Sequence, residues 1–240
     1  MKRVIAALRS LLIWIVALPV FAVCCLLLLA LALIHRGKGL DRLLKASCRL
    51  ILFCCGIRVR LRGGENLAPD RQHVVMMNHV NFLDPFVFYS RFPGLARGVE
   101  EESHFRWPLY GLVLRSIGMV PISRTDSAKA RESLQRAAEL ARERRAYSII
   151  ILPEGTRTRD GKLGPFKRGG FHLALETGLE ILPVIQVGAF RINHKGSRLI
   201  RPGRIELIVC PPIPTAGYTK ETIGNLVDRT RSTFLDRLGA

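Results

Sequence analysis

The chain begins with a long apolar segment and then alternates short apolar runs with amphipathic ones. Residues Leu11–Ile34 carry no charged side chain, and a helix of this length can cross a hydrocarbon core of about 30 Å. Basic residues flank the segment on both sides, so the positive-inside rule indicates no orientation. A cleaved signal peptide is the alternative, but its apolar region is usually only about 7–15 residues long. No clear small-residue cleavage motif follows the segment either. We therefore predict an N-terminal hydrophobic helical membrane anchor.

A second apolar patch, Leu50–Ile57, is too short to span a bilayer and is interpreted as the return arm of a helical hairpin. No linker of low complexity and no internal repeat follows it. We therefore predict two units: a membrane-anchoring helical segment over residues 1–57 and a single globular domain over residues 58–240.

Within the second unit, apolar runs and helical patterns follow one another. Buried strands are predicted at residues 73–77, 147–152, 181–187 and 205–209, and helices at residues 126–145 and 219–238. This alternation predicts an α/β fold with a mixed, mostly covered β-sheet flanked by helices. In such sheets the chemistry lies in the loops beyond the strand ends.

Charge narrows the classes of partner. The chain has 37 Lys and Arg against 19 Asp and Glu, a net charge of +18, which favours an acidic partner such as nucleic acid, anionic lipid or an acidic carrier. Aromatic residues are only 7% and lie mostly within apolar runs, which is not typical of a nucleic-acid-binding surface, so no nucleic acid is predicted. The six cysteines form no C-x-x-C pair and no cluster has metal-ligand spacing, so no metal site is predicted.

Candidate chemistry directly follows the first predicted strand of the globular domain. His79 precedes Asp84 by five residues, and one turn of chain can bring the carboxylate onto a ring nitrogen. The other nitrogen is then free to accept a proton from a hydroxyl. The spacing alone is equally compatible with a His and an Asp that cap a strand–helix loop.

A second cluster, Leu152-Pro-Glu-Gly-Thr-Arg157, also follows an apolar strand. Gly155 lets backbone N–H groups approach a ligand, and Arg157 can bind a phosphate with two hydrogen bonds. Glu154 is either the structural partner of this basic group or a ligand for substrate hydroxyls. Arg159 and Lys162 are interpreted as a solvated basic loop.

Four motifs occur in a fixed order: H-x4-D, then G-x-x-P-I-x-R ending at Arg124, then P-E-G-T-R, then L-P-V containing Pro183. This order resembles the glycerolipid acyltransferase family, whose best-known members acylate 1-acylglycerol-3-phosphate. The resemblance covers about residues 73–187. It implies direct acyl transfer from acyl-CoA or acyl carrier protein, with no acyl-enzyme, no metal and no further cofactor.

The resemblance also implies residue roles. His79 is the general base, Asp84 orients it, and Asn78 supports the motif. The residues implied to bind the acceptor and its phosphate are Arg124, Glu154, Gly155, Thr156, Arg157 and Lys167. Pro183 is implied to contact the acyl donor. The implied partners are the lipid bilayer, a lysophospholipid acceptor and the acyl donor. The implied location is a bacterial inner membrane or its equivalent, with the catalytic domain facing the cytoplasm.

The chain departs from the family pattern at three places. Asn81 stands where Ser is common, Leu152 replaces a common Phe, and Glu100–Glu102 lie where many members carry Lys. Three carboxylates there would repel a phosphate unless they face away. The acceptor is therefore either 1-acylglycerol-3-phosphate or another one, such as glycerol-3-phosphate, a lysophospholipid or lyso-ornithine lipid. A hydrolase and a non-catalytic basic membrane-binding protein are the remaining alternatives.

Overall fold

The apolar runs of the chain form strands that lie side by side in one sheet. A computed structural model describes residues 2–34, 37–67, 71–123, 125–143 and 147–239. The helices of this part are α1 (Lys2–Ile34), α2 (Lys38–Cys54), α3 (Asp84–Arg91), α4 (Tyr110–Ile117), α5 (Ser127–Glu143), α6 (Gly169–Thr177), α7 (Ala189–Ile192) and α8 (Ile223–Leu238). The strands are β1 (Ile57–Arg62), β2 (Val74–Met77), β3 (Leu95–Glu101), β4 (Val120–Ile122), β5 (Tyr147–Ile151), β6 (Ile181–Val187) and β7 (Gly203–Val209).

The described strands form a seven-stranded sheet in the order β1-β7-β6-β2-β5-β3-β4. The strands from β6 to β4 are mutually parallel, whereas β7 is antiparallel to β6 and β1 is parallel to β7. The carboxyl ends of β2, β3, β4, β5 and β6 therefore meet at one edge of the sheet. The predicted mixed sheet is confirmed, and this edge is where a site is expected.

Helices cover both faces of the sheet, which explains why its central strands read as continuous apolar runs. In β2, Val75 and Met77 pack into a core with α1, α2 and α3, while Val74 and Met76 pack into a second core with α5, α6 and α8. All four side chains are fully buried. The four predicted strands correspond to β2, β5, β6 and β7.

Two helix boundaries differ from the sequence-based prediction. Helix α5 begins after Asp126, whose side-chain oxygen accepts hydrogen bonds from the backbone N–H groups of Ala128 and Lys129 at 3.0 and 3.1 Å. Its predicted last residues, Arg144 and Arg145, lie outside the described residues. Helix α8 begins at Ile223 rather than Thr219, because Thr219 and Thr222 close a turn with their hydroxyl groups.

Helix α1 is apolar on all sides, but only one face of it is covered by protein. Its length and composition allow it to cross a membrane. Ile13, Ala17 and Leu28 are buried against the rest of the chain. The exposed face carries Val4, Ile5, Leu8, Leu11, Leu12, Ile15, Val16, Leu18, Val23, Leu26 and Leu27. An exposed apolar surface of this extent is typical of a lipid-facing element.

The predicted return arm is the end of a longer helix. Helix α2 starts at Lys38, whereas the sequence indicated only an apolar patch at residues 50–57. The first half of the helix is amphipathic and has no continuous apolar run, so the sequence did not reveal it. Helices α1 and α2 share one hydrophobic core with the sheet. The division between residues 57 and 58 coincides with the start of β1 and, as a boundary between separate units, stays a prediction.

Polar contacts also fasten both N-terminal helices to the rest of the chain. The Ser10 hydroxyl accepts a hydrogen bond from the Ile200 backbone at 2.9 Å, and the Trp14 indole N–H donates to the Arg198 carbonyl at 2.8 Å. In α2, Asp41 pairs with Arg97 of β3 at 2.7 Å. The first two contacts hold α1, and the third holds α2, against the rest of the chain.

Pro183 lies inside the sheet, in an internal strand. It is tolerated because the pairing of β6 is irregular there. Ile181 pairs with Ile213 and Val184 with Val209, so the five residues 209–213 of the partner segment oppose the four residues 181–184 of β6, as in a bulge. The Pro183 carbonyl still accepts a hydrogen bond from the Cys210 backbone N–H at 2.9 Å.

Candidate active site

A histidine–carboxylate pair lies at the carboxyl end of β2. His79 Nδ1 is 2.7 Å from Asp84 Oδ2, and the Asp84 side chain is completely buried. The same carboxylate accepts hydrogen bonds from the backbone N–H groups of Val80 at 2.8 Å and Asn81 at 3.1 Å. Asp84 is also the first residue of α3, where a negative charge is favoured by the helix dipole. The carboxylate therefore fixes both the loop and the imidazole ring.

The free side of His79 faces a large cavity. The cavity has a volume of about 1550 Å³ and is lined by residues from the carboxyl ends of β2, β3, β4 and β5. Asp84 occupies Nδ1, and Nε2 has no hydrogen-bond partner among the described residues. Nε2 is thus the ring nitrogen available to exchange a proton with a bound substrate.

Glu154 supports His79 from behind. Its Oε1 accepts a hydrogen bond from the His79 backbone N–H at 2.7 Å, and its Oε2 accepts one from the Gly164 backbone N–H at 2.8 Å. The side chain is buried, and burial raises the pKa of Glu154, while these two hydrogen bonds partly offset that effect. Both Glu154 carboxylate oxygens are therefore bonded to backbone N–H groups, which favours the structural alternative, and its implied contact with the acceptor stays a prediction.

The side chains of Arg157 and Lys167 lie in a different environment from that of Thr156. Arg157 and Lys167 line the cavity together with His79 and Gly155. Gly155 has a φ of +65°, and a Cβ added there would lie 2.8 Å from Lys167 Cε, so the lysine stem packs directly over the glycine. Thr156 is exposed, and its hydroxyl accepts a hydrogen bond from Lys195 Nζ at 2.8 Å.

The remaining residues implied by the resemblance take different places. Asn78 is buried and exchanges hydrogen bonds with the Gln186 backbone, its Oδ1 accepting from the N–H at 2.8 Å and its Nδ2 donating to the carbonyl at 3.1 Å. It therefore fastens the end of β2 to β6. Pro183 is not among the described residues that line the cavity, so its contact with the donor stays a prediction. Arg124 lies outside the described residues.

Sequence reasoning missed Asn81 as an anchor of the His79 loop. Its amide donates to the carbonyls of Ala189 at 3.0 Å and Asn193 at 3.1 Å, and its Oδ1 accepts from the Leu83 backbone at 2.8 Å. The replacement of a common Ser by Asn was the only signal in the sequence. A longer amide reaches two carbonyls of the α7 segment that a hydroxyl does not reach.

Sequence reasoning also missed that α1 forms part of the cavity wall. Trp14, Leu18 and Phe21 line the same cavity as His79. The Trp14 ring stacks on Phe82 at 5.8 Å, and Phe21 contacts Tyr110 with ring centroids 5.9 Å apart. One side of the cavity is therefore apolar and is formed by the helix that carries the exposed lipid-facing surface.

The acidic departure from the family pattern also reaches the cavity. Glu100 and Glu101 are among the residues that line it, whereas Glu102 is not. Glu100 Oε1 is 2.8 Å from His104 Nδ1. The described residues contain no group of three or more His, Cys, Asp or Glu side chains placed to hold a metal ion.

Comparison with known proteins decides the family. The family model described as Acyltransferase matches residues 58–187. The chain belongs to the acyltransferase family. It is 31% identical over 191 residues to 1-acyl-sn-glycerol-3-phosphate acyltransferase of Limnanthes douglasii, covering 80% of this chain and 67% of that one. It is 29% identical over 204 residues to 1-acyl-sn-glycerol-3-phosphate acyltransferase alpha of Homo sapiens, covering 83% and 71%.

The fold of this acyltransferase also matches a solved structure. The crystal structure of the 1-acyl-sn-glycerophosphate (LPA) acyltransferase PlsC from Thermotoga maritima superposes with a TM-score of 0.81 over 100% of both chains, at 21% sequence identity. The N-terminal helices are included in that match. The family resemblance and the α/β fold predicted from the sequence are both confirmed.

Proposed function

We propose that this acyltransferase moves a fatty acyl group from an acyl thioester to the free hydroxyl of 1-acylglycerol-3-phosphate and so forms phosphatidate. The observation that carries the proposal is the His79–Asp84 pair at 2.7 Å, whose free ring nitrogen faces a cavity that is also lined by Arg157 and Lys167. The names of the similar plant and human enzymes support the choice of acceptor.

The geometry supports a direct transfer. The acceptor hydroxyl gives its proton to His79 Nε2 as its oxygen forms a bond to the thioester carbonyl carbon. The tetrahedral intermediate expels the thiolate, which takes the proton back from His79. Asp84 stabilises the imidazolium that exists between these two steps. The chain needs no nucleophile of its own, and the donor enters as a substrate.

Basic side chains position the acceptor. A phosphate monoester carries up to two negative charges, and an Arg guanidinium binds it with two parallel hydrogen bonds. Arg157 and Lys167 both line the cavity that contains His79. Fixing the phosphate there places the acceptor hydroxyl beside Nε2, and this positioning supplies much of the rate enhancement.

The membrane supplies the acceptor. Helix α1 presents exposed leucine, isoleucine and valine side chains on one side and lines the cavity on the other. A lysolipid that enters along this helix keeps its acyl chain in an apolar environment. We place the catalytic domain on the cytoplasmic side, where acyl-CoA and acyl carrier protein are found. Both donors are negatively charged and are attracted electrostatically to a chain with a net charge of +18.

A second acceptor class is favoured by one specific observation. Glu100 and Glu101 line the cavity. A carboxylate attracts a positively charged ammonium group and repels a negatively charged phosphate. An acceptor that carries an amine, such as lyso-ornithine lipid, would complement them.

The test is acyl transfer by membranes that contain the full-length protein. Labelled acyl-CoA and labelled acyl carrier protein are offered with 1-acylglycerol-3-phosphate, glycerol-3-phosphate and a lyso-aminolipid as competing acceptors. We expect phosphatidate as the main product and none from the His79→Ala variant. Acylation of only the lyso-aminolipid contradicts the proposed acceptor and retains the reaction, whereas thioester hydrolysis without any acceptor contradicts the reaction itself.

A further inference from the structure

The cavity contains a second histidine–carboxylate pair that no motif of the family explains. His104 Nδ1 is 2.8 Å from Glu100 Oε1, and both residues line the cavity that contains His79. The pair forms because β3 ends at Glu101 and a 3₁₀ segment, Glu102–Arg106, turns the chain back by one turn. The side chain of His104 is 26% exposed and that of Glu100 is 15% exposed, so the pair lies in the wall and still reaches the cavity.

The orientation of the His104 ring is set by its neighbours. The ring lies 4.5 Å from the Trp107 ring and 6.3 Å from the Tyr110 ring, measured between centroids. Glu100 holds Nδ1 on the side of β3. Nε2 has no hydrogen-bond partner among the described residues, so it is the ring nitrogen that a ligand in the cavity can contact.

Charge determines which ligand suits this nitrogen. When the ring is protonated, Nδ1–H donates to Glu100 and Nε2–H is a positively charged donor. A charged N–H forms its strongest hydrogen bonds with carboxylate or phosphate oxygens. The Glu100 carboxylate is then compensated by His104, so the acidic run does not present an isolated charge of Glu100 to a phosphate.

Charged side chains of both signs lie on the elements next to the pair. Glu101 and Glu102 precede His104 on the same segment, Arg106 follows it, and Arg115 belongs to α4. Arg115 is directed over the Phe105 ring at 5.8 Å. The Tyr110 side chain of α4, which carries a hydroxyl group, also faces the His104 ring. Strand β4, Val120–Ile122, contains no titratable residue.

We propose that protonated His104, held by Glu100, binds the phosphate of the acceptor and takes the place of the lysine that many family members carry in this segment. This inference rests on the proposed function, because it requires an acceptor with a phosphate monoester. His104 and Arg157 both line the cavity that contains His79, and the proposal requires that one phosphate contacts both of them.

The experiment measures acceptor kinetics and acceptor binding on the full-length protein in detergent, between pH 6 and pH 8. His104→Ala raises the KM for 1-acylglycerol-3-phosphate about ten- to hundredfold at pH 6, with a larger effect on KM than on kcat. His104→Lys restores a low KM and removes the part of the pH dependence that comes from the imidazole. Glu100→Gln keeps a hydrogen-bond acceptor without the charge, so its KM moves toward that of His104→Ala.

Three controls make the result specific. His194→Ala removes a histidine that lies outside the described cavity wall, and its KM stays at the wild-type value. Calorimetric binding of 1-acylglycerol, which lacks the phosphate, is unaffected by His104→Ala. Inorganic phosphate competes with 1-acylglycerol-3-phosphate in the wild type and loses this effect in His104→Ala.

The outcomes separate this inference from the proposed function. A wild type that acylates 1-acylglycerol-3-phosphate with an unchanged KM in folded His104→Ala overturns the phosphate site and retains the function. His104-dependent binding of that lipid without its acylation retains the site and contradicts the function. If His104→Ala loses 1-acylglycerol binding as much as it loses 1-acylglycerol-3-phosphate binding, the role of His104 is purely structural and the inference is overturned. A wild type that neither binds nor acylates the phosphate-bearing lipid also overturns it.

Discussion

The Glu154 carboxylate accepts a hydrogen bond from the His79 backbone N–H, with 2.7 Å between Oε1 and the nitrogen. Two sequence motifs separated by 75 residues are thereby joined through one buried side chain. The second oxygen of Glu154 holds the Gly164 backbone, so the loop that carries Arg157 is fixed by the same residue. Together with the hydrogen bond from the Thr158 backbone N–H to the His79 carbonyl at 3.0 Å, Glu154 holds the loop of Arg157 beside the loop of His79.

The buried position of Glu154 predicts a pH-dependent stability. Burial raises the pKa of Glu154 above its ordinary value of 4.5, so the folded protein binds this proton more tightly than the unfolded chain does. The contribution of Glu154 to the free energy of unfolding is therefore greatest at acid pH and falls as the pH rises from about 4.5 through the raised pKa.

Melting temperatures of wild type and Glu154→Gln in detergent, measured between pH 4.5 and pH 7, check this sign. We expect the difference, wild type minus variant, to decrease as the pH rises. An increase over that range would contradict the assignment. Independently of pH, Glu154→Ala lowers kcat, because the His79 loop loses a buried hydrogen bond that costs about 1–3 kcal/mol to leave unmade.

The two members of the candidate pair are expected to fail in different ways. His79→Ala removes the base and lowers kcat by about 10²–10⁴-fold, while the melting temperature falls less than in Asp84→Ala, because the Asp84 carboxylate keeps its backbone N–H partners. Asp84→Ala lowers kcat and also the melting temperature, since the buried N–H groups of Val80 and Asn81 lose their acceptor. Steady-state kinetics combined with thermal melting distinguishes the two variants. Equal melting temperatures would show that the Asp84 hydrogen bonds are not needed for folding.

A buried ion pair connects α2 to the sheet and predicts a stability effect far from the cavity. Arg97 donates to Asp41 at 2.7 Å and its guanidinium lies 4.4 Å from the centre of the Tyr147 ring. Burial alone lowers the pKa of Arg97, but the Asp41 hydrogen bond and charge more than offset it and keep the guanidinium charged.

Asp41→Ala leaves that charge buried without its partner, which costs about 3–5 kcal/mol. The double variant Asp41→Leu with Arg97→Met removes both charges and is expected to recover most of the loss. Chemical denaturation in detergent measures both values. If the double variant is as unstable as the single one, packing rather than unpaired charge explains the effect.

The contacts of α1 predict the side of the membrane on which the chain begins. Ser10 and Trp14 are hydrogen-bonded to the segment that contains Arg198 and Ile200, so the first turns of the helix stay beside the catalytic domain. We therefore expect α1 to lie in one leaflet with its exposed apolar face in lipid, rather than to cross the bilayer.

Single cysteines introduced by Arg3→Cys and Asp160→Cys test this topology with a membrane-impermeant maleimide. Both positions are exposed, and Asp160 belongs to the catalytic domain. We expect both to react from the same side of oriented vesicles. Reaction of the two positions from opposite sides would show that α1 crosses the bilayer.

Local pattern predicted about half of the elements: α1, the end of α2, α5, α8 and the strands β2, β5, β6 and β7. The runs at residues 73–77 and 181–187 are almost entirely apolar, and both are central strands because a strand buried on two faces has no solvent-facing polar side. The start of α2 was missed because its first half is amphipathic and lacks an apolar run. The start of α8 was misplaced because Thr219 and Thr222 bond to each other instead of joining the helix.

The candidate site was predicted less evenly. The five-residue separation of His79 and Asp84 allows one turn of chain to pair them, but the spacing fits a capped loop equally well, and only the structure shows the contact. The place of Glu154 could not be predicted, because a glutamate next to Arg157 has the same sequence whether it faces a ligand or the backbone of another loop. Glu100 lines the cavity and pairs with His104, an arrangement that needs the turn after β3.

The sequence by itself determined the family, about half of the strands and helices, and a candidate histidine–carboxylate pair, because each is encoded by short segments of the chain. Only the tertiary structure decided that α1 forms a wall of the cavity, that Glu154 holds the His79 backbone and that a second histidine shares the cavity. The first two relationships join segments 60 or more residues apart, as in the contact between Trp14 and Phe82 and the hydrogen bond between His79 and Glu154. Their distances are set by how the helices pack on the sheet, which no local pattern encodes.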